Sequence, residues 1–146
     1  MPGPLNGYRI VDLTSNVAGP LATMILGDQG ADVIKVEPPP SGDSTRSGAN
    51  RRGGLTAGFL NNNRNKRSVV LDLKNAAARE VLFRLCAGAD AFVQNYRPGV
   101  ADRLGVGEEA VRKAGVLNRS SATHSGFSSA RVSPCHCRSV TTAAVM

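Results

Sequence analysis

Three polar stretches of this chain hold residue types that bind anions and nucleotides. The first is Thr14-Ser15-Asn16-Val17-Ala18-Gly19-Pro20, which follows a short apolar run. Backbone N–H groups at a strand-to-helix junction, with the positive end of the helix behind them, can meet a phosphate or an adenine edge. This is not a dinucleotide fingerprint, which needs three glycines at G-x-G-x-x-G spacing, whereas the loop has only Gly19. Glu37 imitates a ribose-binding acid, but without those glycines the case for NAD fails. The second stretch, Asn63-Arg64-Asn65-Lys66-Arg67-Ser68, puts three cations and two amides into six residues. Such donors could neutralise phosphate oxygens, and a solvated charged face reads the same way. The third, Gln94-Asn95-Tyr96-Arg97-Pro98-Gly99 with Arg103 beyond it, offers amide and guanidinium donors and one aromatic ring. A plain helix-leading turn on Pro98-Gly99 is the alternative.

The elements that must hold these stretches alternate in type. Tyr8-Arg9-Ile10-Val11-Asp12-Leu13 is rich in strand formers and predicts a strand ending in a loop. Pro20 suits the first position of a short helix with Leu21, Met24 and Ile25 on one face and Gly27 and Gly30 near its end. A second strand, Ala31 to Glu37, is closed by Pro38-Pro39-Pro40. A Gly/Arg/Asn-rich loop is expected from Ser41 to about Arg67, then a strand at Val69-Val70-Leu71-Asp72-Leu73. Asn75 can cap a helix that places Ala78, Val81, Leu82, Leu85 and Cys86 together, Ala91-Phe92-Val93 reads as a fourth strand, and Gly107 to Lys113 as a short helix. Strands joined by helices run parallel and need cover on both faces, so the expectation is an α/β fold, an incomplete Rossmann-like doubly wound parallel sheet. Ligands of such sheets bind beyond the carboxyl ends of the strands.

Charge is distributed unevenly. Residues 1–109 hold 13 Lys/Arg and all 11 Asp/Glu, whereas 110–146 hold five basic residues and no acid. The overall +7 therefore describes a near-neutral domain with a basic extension, which weakens a nucleic-acid reading. Arg119, Arg131 and Arg138 are widely spaced, and only Phe127 could stack a base. Cys135-His136-Cys137 cannot close a tetrahedral metal site from adjacent residues. Three irregularly spaced cysteines suit a reducing compartment better than a disulfide framework. No run approaches a spanning helix, and the start has no secretory pattern, so the expectation is a cytoplasmic protein without membrane contact. The expected division is an α/β domain at 1–113 and a basic tail at 114–146, irregular or disordered by composition, or read from a shifted frame after about residue 115.

Several ungapped blocks together resemble the family III CoA-transferases, a group that includes formyl-CoA transferase, the carnitine CoA-transferases and the α-methylacyl-CoA racemases. The blocks are Val11-Asp12-Leu13-Thr14 with Val17-Ala18-Gly19-Pro20, the run Leu26 to Glu37, Gly42-Asp43 with Arg46, Asn63 to Ser68, Leu71-Asp72-Leu73-Lys74, and Asn95-Tyr96-Arg97-Pro98-Gly99. The resemblance covers residues 4 to about 113. It implies a transferase with acyl-CoA and a carboxylic acid as substrates, coenzyme A held on the N-terminal part, no permanently bound cofactor, and interlocked homodimers among full-length relatives. Carried over by position, the CoA contacts fall at Val17, Ala18, Leu71, Asp72, Leu73, Lys74, Asn95, Tyr96, Arg97 and Arg103. It further implies an aspartate nucleophile that passes through an aspartyl-CoA thioester. That aspartate has no counterpart here, since Glu109 is the last acid and only Ser125-Gly126-Phe127 is similar to the turn preceding it. The expectation is therefore a truncated, catalytically incompetent transferase that could still bind CoA. A non-enzymatic CoA or nucleotide module, a racemase-type fragment and a basic nucleic-acid-binding protein remain the competing readings.

Overall fold

The computed structural model describes residues 2–48 and 51–115. Of the tail expected at 114–146, residues 116–146 lie outside the described residues. The chain runs β1 (Arg9–Asp12), α1 (Ala18–Asp28), β2 (Asp32–Glu37), a 3-10 turn (Ser44–Arg46), β3 (Arg51–Arg52), β4 (Leu55–Thr56), α2 (Ala57–Asn63), β5 (Lys66–Val70), α3 (Ala76–Ala87), β6 (Ala91–Val93), α4 (Val100–Arg103) and α5 (Glu108–Lys113). Four strands form one parallel sheet in the order β5-β2-β1-β6, and β3 and β4 make a separate two-stranded antiparallel pair.

Alternation along the strands decides which helix covers which face. Ile10, Ala31 and Val33 pack with Leu26 of α1 on one side. Val11, Val36 and Phe92 pack on the other side with Leu82 and Cys86 of α3, Ala101 of α4 and Val111 of α5. Helices thus cover both faces, as expected for a doubly wound sheet. Burial holds the Cys86 thiol up at about 12, so it stays protonated and inert.

Three details differ from the sequence reading. Pro20 sits third in α1 rather than first, because the helix starts at Ala18; its lack of an N–H is equally harmless anywhere in that turn. The long loop holds a 3-10 turn, a hairpin and a further helix, α2, capped by Thr56, whose hydroxyl accepts from Phe59 N at 3.0 Å. The third main strand starts at Lys66 and ends at Val70. Leu71 to Lys74 therefore form the loop at its carboxyl end, and Asn63 to Arg67 lie at its amino end.

Candidate functional site

Strand order sets the location of a crevice. From β1 the chain moves outward through β2 to β5, then α3 carries it back to pair β6 on the other side of β1. That reversal lies between β1 and β6, and in open parallel sheets such a switch point leaves a gap beyond the carboxyl ends where ligands bind. Leu13 N donates to Val93 O at 2.7 Å as the last backbone bond between the two strands. Beyond it the Asn95 side chain takes over, its Nδ2 donating to Ser15 O at 2.9 Å and its Oδ1 accepting from Ser15 N at 3.0 Å. One amide thus holds both loops in register.

A cleft of about 330 Å³ opens beside this clip, lined by Ser15, Asn16, Pro38, Asp43, Ser44 and Tyr96 among others. Ser44 Oγ donates to Asn16 Oδ1 at 2.7 Å, tying the loops after β1 and β2, and Asn16 adopts a left-handed φ of 68° that asparagine tolerates. No side chain caps α1, so its first N–H groups at Ala18 and Gly19 face this end of the sheet without a side-chain acceptor. Gly19 permits the closeness, since a Cβ there would stand 2.5 Å from Thr14 Cβ.

Buried charge beneath the cleft holds the loops. Lys35 Nζ donates to Thr14 O at 2.8 Å and lies 2.8 Å from Asp43 Oδ2. Burial works against the charged form of Asp43, but Lys35 and Thr45 outweigh it and lower its pKa. Glu37 is 1% exposed and receives both Arg46 Nε and Nη2 at 2.6 Å, Ser68 Oγ at 2.6 Å and Asp43 N at 2.8 Å. The Arg46 guanidinium also lies 3.8 Å over the Phe59 ring. Burial would raise the Glu37 pKa, and these donors together bring it down to about 2. A depressed carboxylate stabilises the fold above its unfolded value of 4.5 and loses that contribution as pH falls through 2. A drop of about 3 kcal/mol between those limits is expected. Urea melts of the unaltered protein and Glu37→Gln across that range measure it, and equal slopes would disprove the assignment.

The expected contact residues gather at this end of the sheet in different states. Val17 and Ala18 are exposed at the start of α1. Asp72 and Lys74 are exposed after β5, but Leu73 is in the core, so only its backbone can face a ligand. The Asn95 amide is engaged by Ser15, and the Tyr96 ring packs against the core while lining the cleft, burial raising its hydroxyl pKa. Arg97 and Arg103 are exposed. The cluster from Arg64 to Arg67 resolves to the solvated and structural alternative. Arg64 pairs with Asp28 at 2.6 Å, Lys66 with Asp12 at 3.0 Å and Arg67 with Asp32 at 2.7 Å. Asn16 falls within the first polar stretch, whereas Lys35 and Ser44 lie outside all three; a lone Lys within an apolar strand is the one signal that could have revealed either.

Comparisons with known proteins agree on one family. The family model described as CoA-transferase family III matches residues 5–115. Succinyl-CoA:glutarate CoA-transferase of Mus musculus is 47% identical over 111 residues, which are 75% of this chain and 26% of that protein. Formyl-CoA:oxalate CoA-transferase of Afipia carboxidovorans is 43% identical over 114 residues, 77% of this chain and 27% of that protein. A crystal structure of a CAIB/BAIF family protein from Brucella suis superposes with a TM-score of 0.73 at 38% identity, covering 78% of this chain and 31% of that one. The chain spans about a quarter of the length of the curated relatives it matches.

Proposed function

Because the chain belongs to CoA-transferase family III, we propose that residues 1–113 are the coenzyme A-holding part of an enzyme that moves CoA from an acyl-CoA donor to a carboxylic acid. The distribution of cations carries this reading. Lys74, Arg97 and Arg103 stand on or after the loops that follow β5 and β6, and among the described residues none of them has an acidic partner. Free cations at the carboxyl end of a parallel sheet, beside a switch point, suit a ligand bearing a diphosphate and a further phosphate. The proposed contacts are the first turn of α1 at Val17-Ala18, the Leu71-Asp72-Leu73-Lys74 loop, Asn95-Tyr96-Arg97 and Arg103. Asn95 serves by holding the crevice open, and the Tyr96 ring supplies an apolar wall.

Transfer in this reading begins when an aspartate carboxylate attacks the acyl thioester, expelling CoA thiolate and leaving a mixed anhydride. The thiolate attacks the aspartyl carbonyl of that anhydride, which releases the donor acid and leaves an aspartyl-CoA thioester. The acceptor carboxylate attacks this thioester and expels the thiolate, which then takes the acceptor acyl group and frees the aspartate. The buried acids near the cleft do not fit that role. Asp12 is engaged by Lys66, Glu37 by Arg46 and Asp43 by Lys35, and residues 110–146 contain no acid. In this reading none of these paired acids is the nucleophile, and the 146 residues by themselves bind CoA without turnover. Titration calorimetry of the chain with CoA and, separately, with a DNA duplex tests the reading. The expected result is saturable, salt-weakened heat with CoA, none with the duplex, and no CoA transfer from succinyl-CoA to a carboxylate. Duplex binding with no CoA heat would overturn it.

A further inference from the structure

Arg79 lies in the first turn of α3, half-buried and without an acidic partner among the described residues. Its Nη1 donates to Leu73 O at 3.0 Å and to Lys74 O at 3.1 Å. The same side chain lies against the turn that follows α4, because a Cβ added at Gly105 would stand 3.4 Å from Nε and 3.5 Å from Cδ. Gly105 also has a φ of +71°, so the backbone there favours glycine, while the Arg79 side chain stands at ordinary contact distance from where a Cβ would be. One side chain therefore bonds the loop that carries Lys74 and lies beside the turn that follows Arg103 of α4.

The electrostatic consequence is specific. A loop that receives an anion is weakened by carbonyl oxygens aimed at it, and Arg79 draws two successive carbonyls back towards α3 and offsets their partial charge. The same side chain lies beside the Gly105 turn, two residues beyond Arg103. The planar fork suits this dual contact, which a lysine ammonium cannot reproduce in full.

We propose that Arg79 is a positioning residue for the phosphate-binding part of the site: it touches no ligand itself, and it holds the Leu73-Lys74 carbonyls and the Gly105 turn so that Lys74 and Arg103 converge on one anionic group. This rests on the CoA-binding reading above. The test titrates the 146-residue chain, Arg79→Ala and Arg79→Lys with CoA and with pantetheine, which lacks the phosphates, at two salt concentrations, alongside thermal melts. Arg79→Ala should weaken CoA about tenfold and flatten its salt dependence, with pantetheine affinity changed less than about twofold and Arg79→Lys recovering part of the loss. Unchanged CoA affinity, or equal losses for CoA and pantetheine, would overturn the positioning role alone. Absence of CoA binding by the unaltered chain would overturn the underlying reading with it.

Discussion

Replacing Asp12 with alanine lowers the stability of the fold by about 3–5 kcal/mol, the range seen when one partner of a buried ion pair is removed. Asp12 closes β1 with no exposed surface, and all of its acceptor capacity is used. Oδ1 accepts from Thr14 N at 2.8 Å and Thr14 Oγ1 at 2.5 Å, while Oδ2 accepts from Thr23 Oγ1 at 2.7 Å and Lys66 Nζ at 3.0 Å. Lys66 reaches in from β5 and also donates to Pro20 O, Thr23 Oγ1 and Asn63 Oδ1. One pair therefore fastens two strands, the first turn of α1 and the end of α2. Burial already pulls the Lys66 pKa down, with Asp12 working in the opposite direction. Without Asp12 the ammonium is favoured still less in the folded state, so the variant should regain stability as pH rises towards the unfolded lysine value. Adding Lys66→Met should restore part of the loss, since an apolar side chain leaves no stranded charge. Urea denaturation of the two single variants and the double variant measures the coupling, and strictly additive losses would refute the hub.

Apolar runs made much of this fold legible. Val33-Ile34 and Val36, or Val11 and Leu13, can only be core strands at that spacing, and Leu82 with Cys86 marks the buried stripe of α3. The start of β5 was hidden because Lys66, Arg67 and Ser68 are polar, and polarity beside an asparagine run reads as loop. The β-sheet admits them because Lys66 is neutralised by Asp12, Arg67 lies at an exposed edge with Asp32, and Ser68 donates to Glu37. Partners 31 to 54 residues away in sequence leave no local trace. The same reason hid Arg79, whose contacts with carbonyls and with Gly105 have no signature in side-chain type. The loops after β1 and β6 were visible as compositional clusters, but the Asn63 to Ser68 cluster falls at the amino end of β5 and the Leu71 to Lys74 loop reads locally as strand. Which cations were already paired was not visible either. That distinction separates scaffold from surface, and it turns a sequence with two plausible basic patches into one.

Neutralising Lys74, Arg97 and Arg103 together to alanine should lower CoA affinity by about a hundred- to a thousandfold and leave the melting temperature close to that of the unaltered chain. The first part follows from the worth of charged hydrogen bonds to phosphate, on the order of tenfold each, reduced where neighbouring cations compensate. The second follows because the three side chains are exposed and have no acidic partner among the described residues, so removing them strands no buried charge. Arg64 and Arg67 supply the control. They are exposed too, but they already pair with Asp28 and Asp32 near the amino end of β5, so Arg64→Ala with Arg67→Ala should cost little CoA affinity. Titrations at low and physiological salt separate the outcomes, because the difference between the two sets should shrink as salt screens the exposed sites. If the Arg64/Arg67 variant loses as much affinity as the triple variant, net charge rather than the strand-end constellation draws the ligand, and the proposed contacts fail.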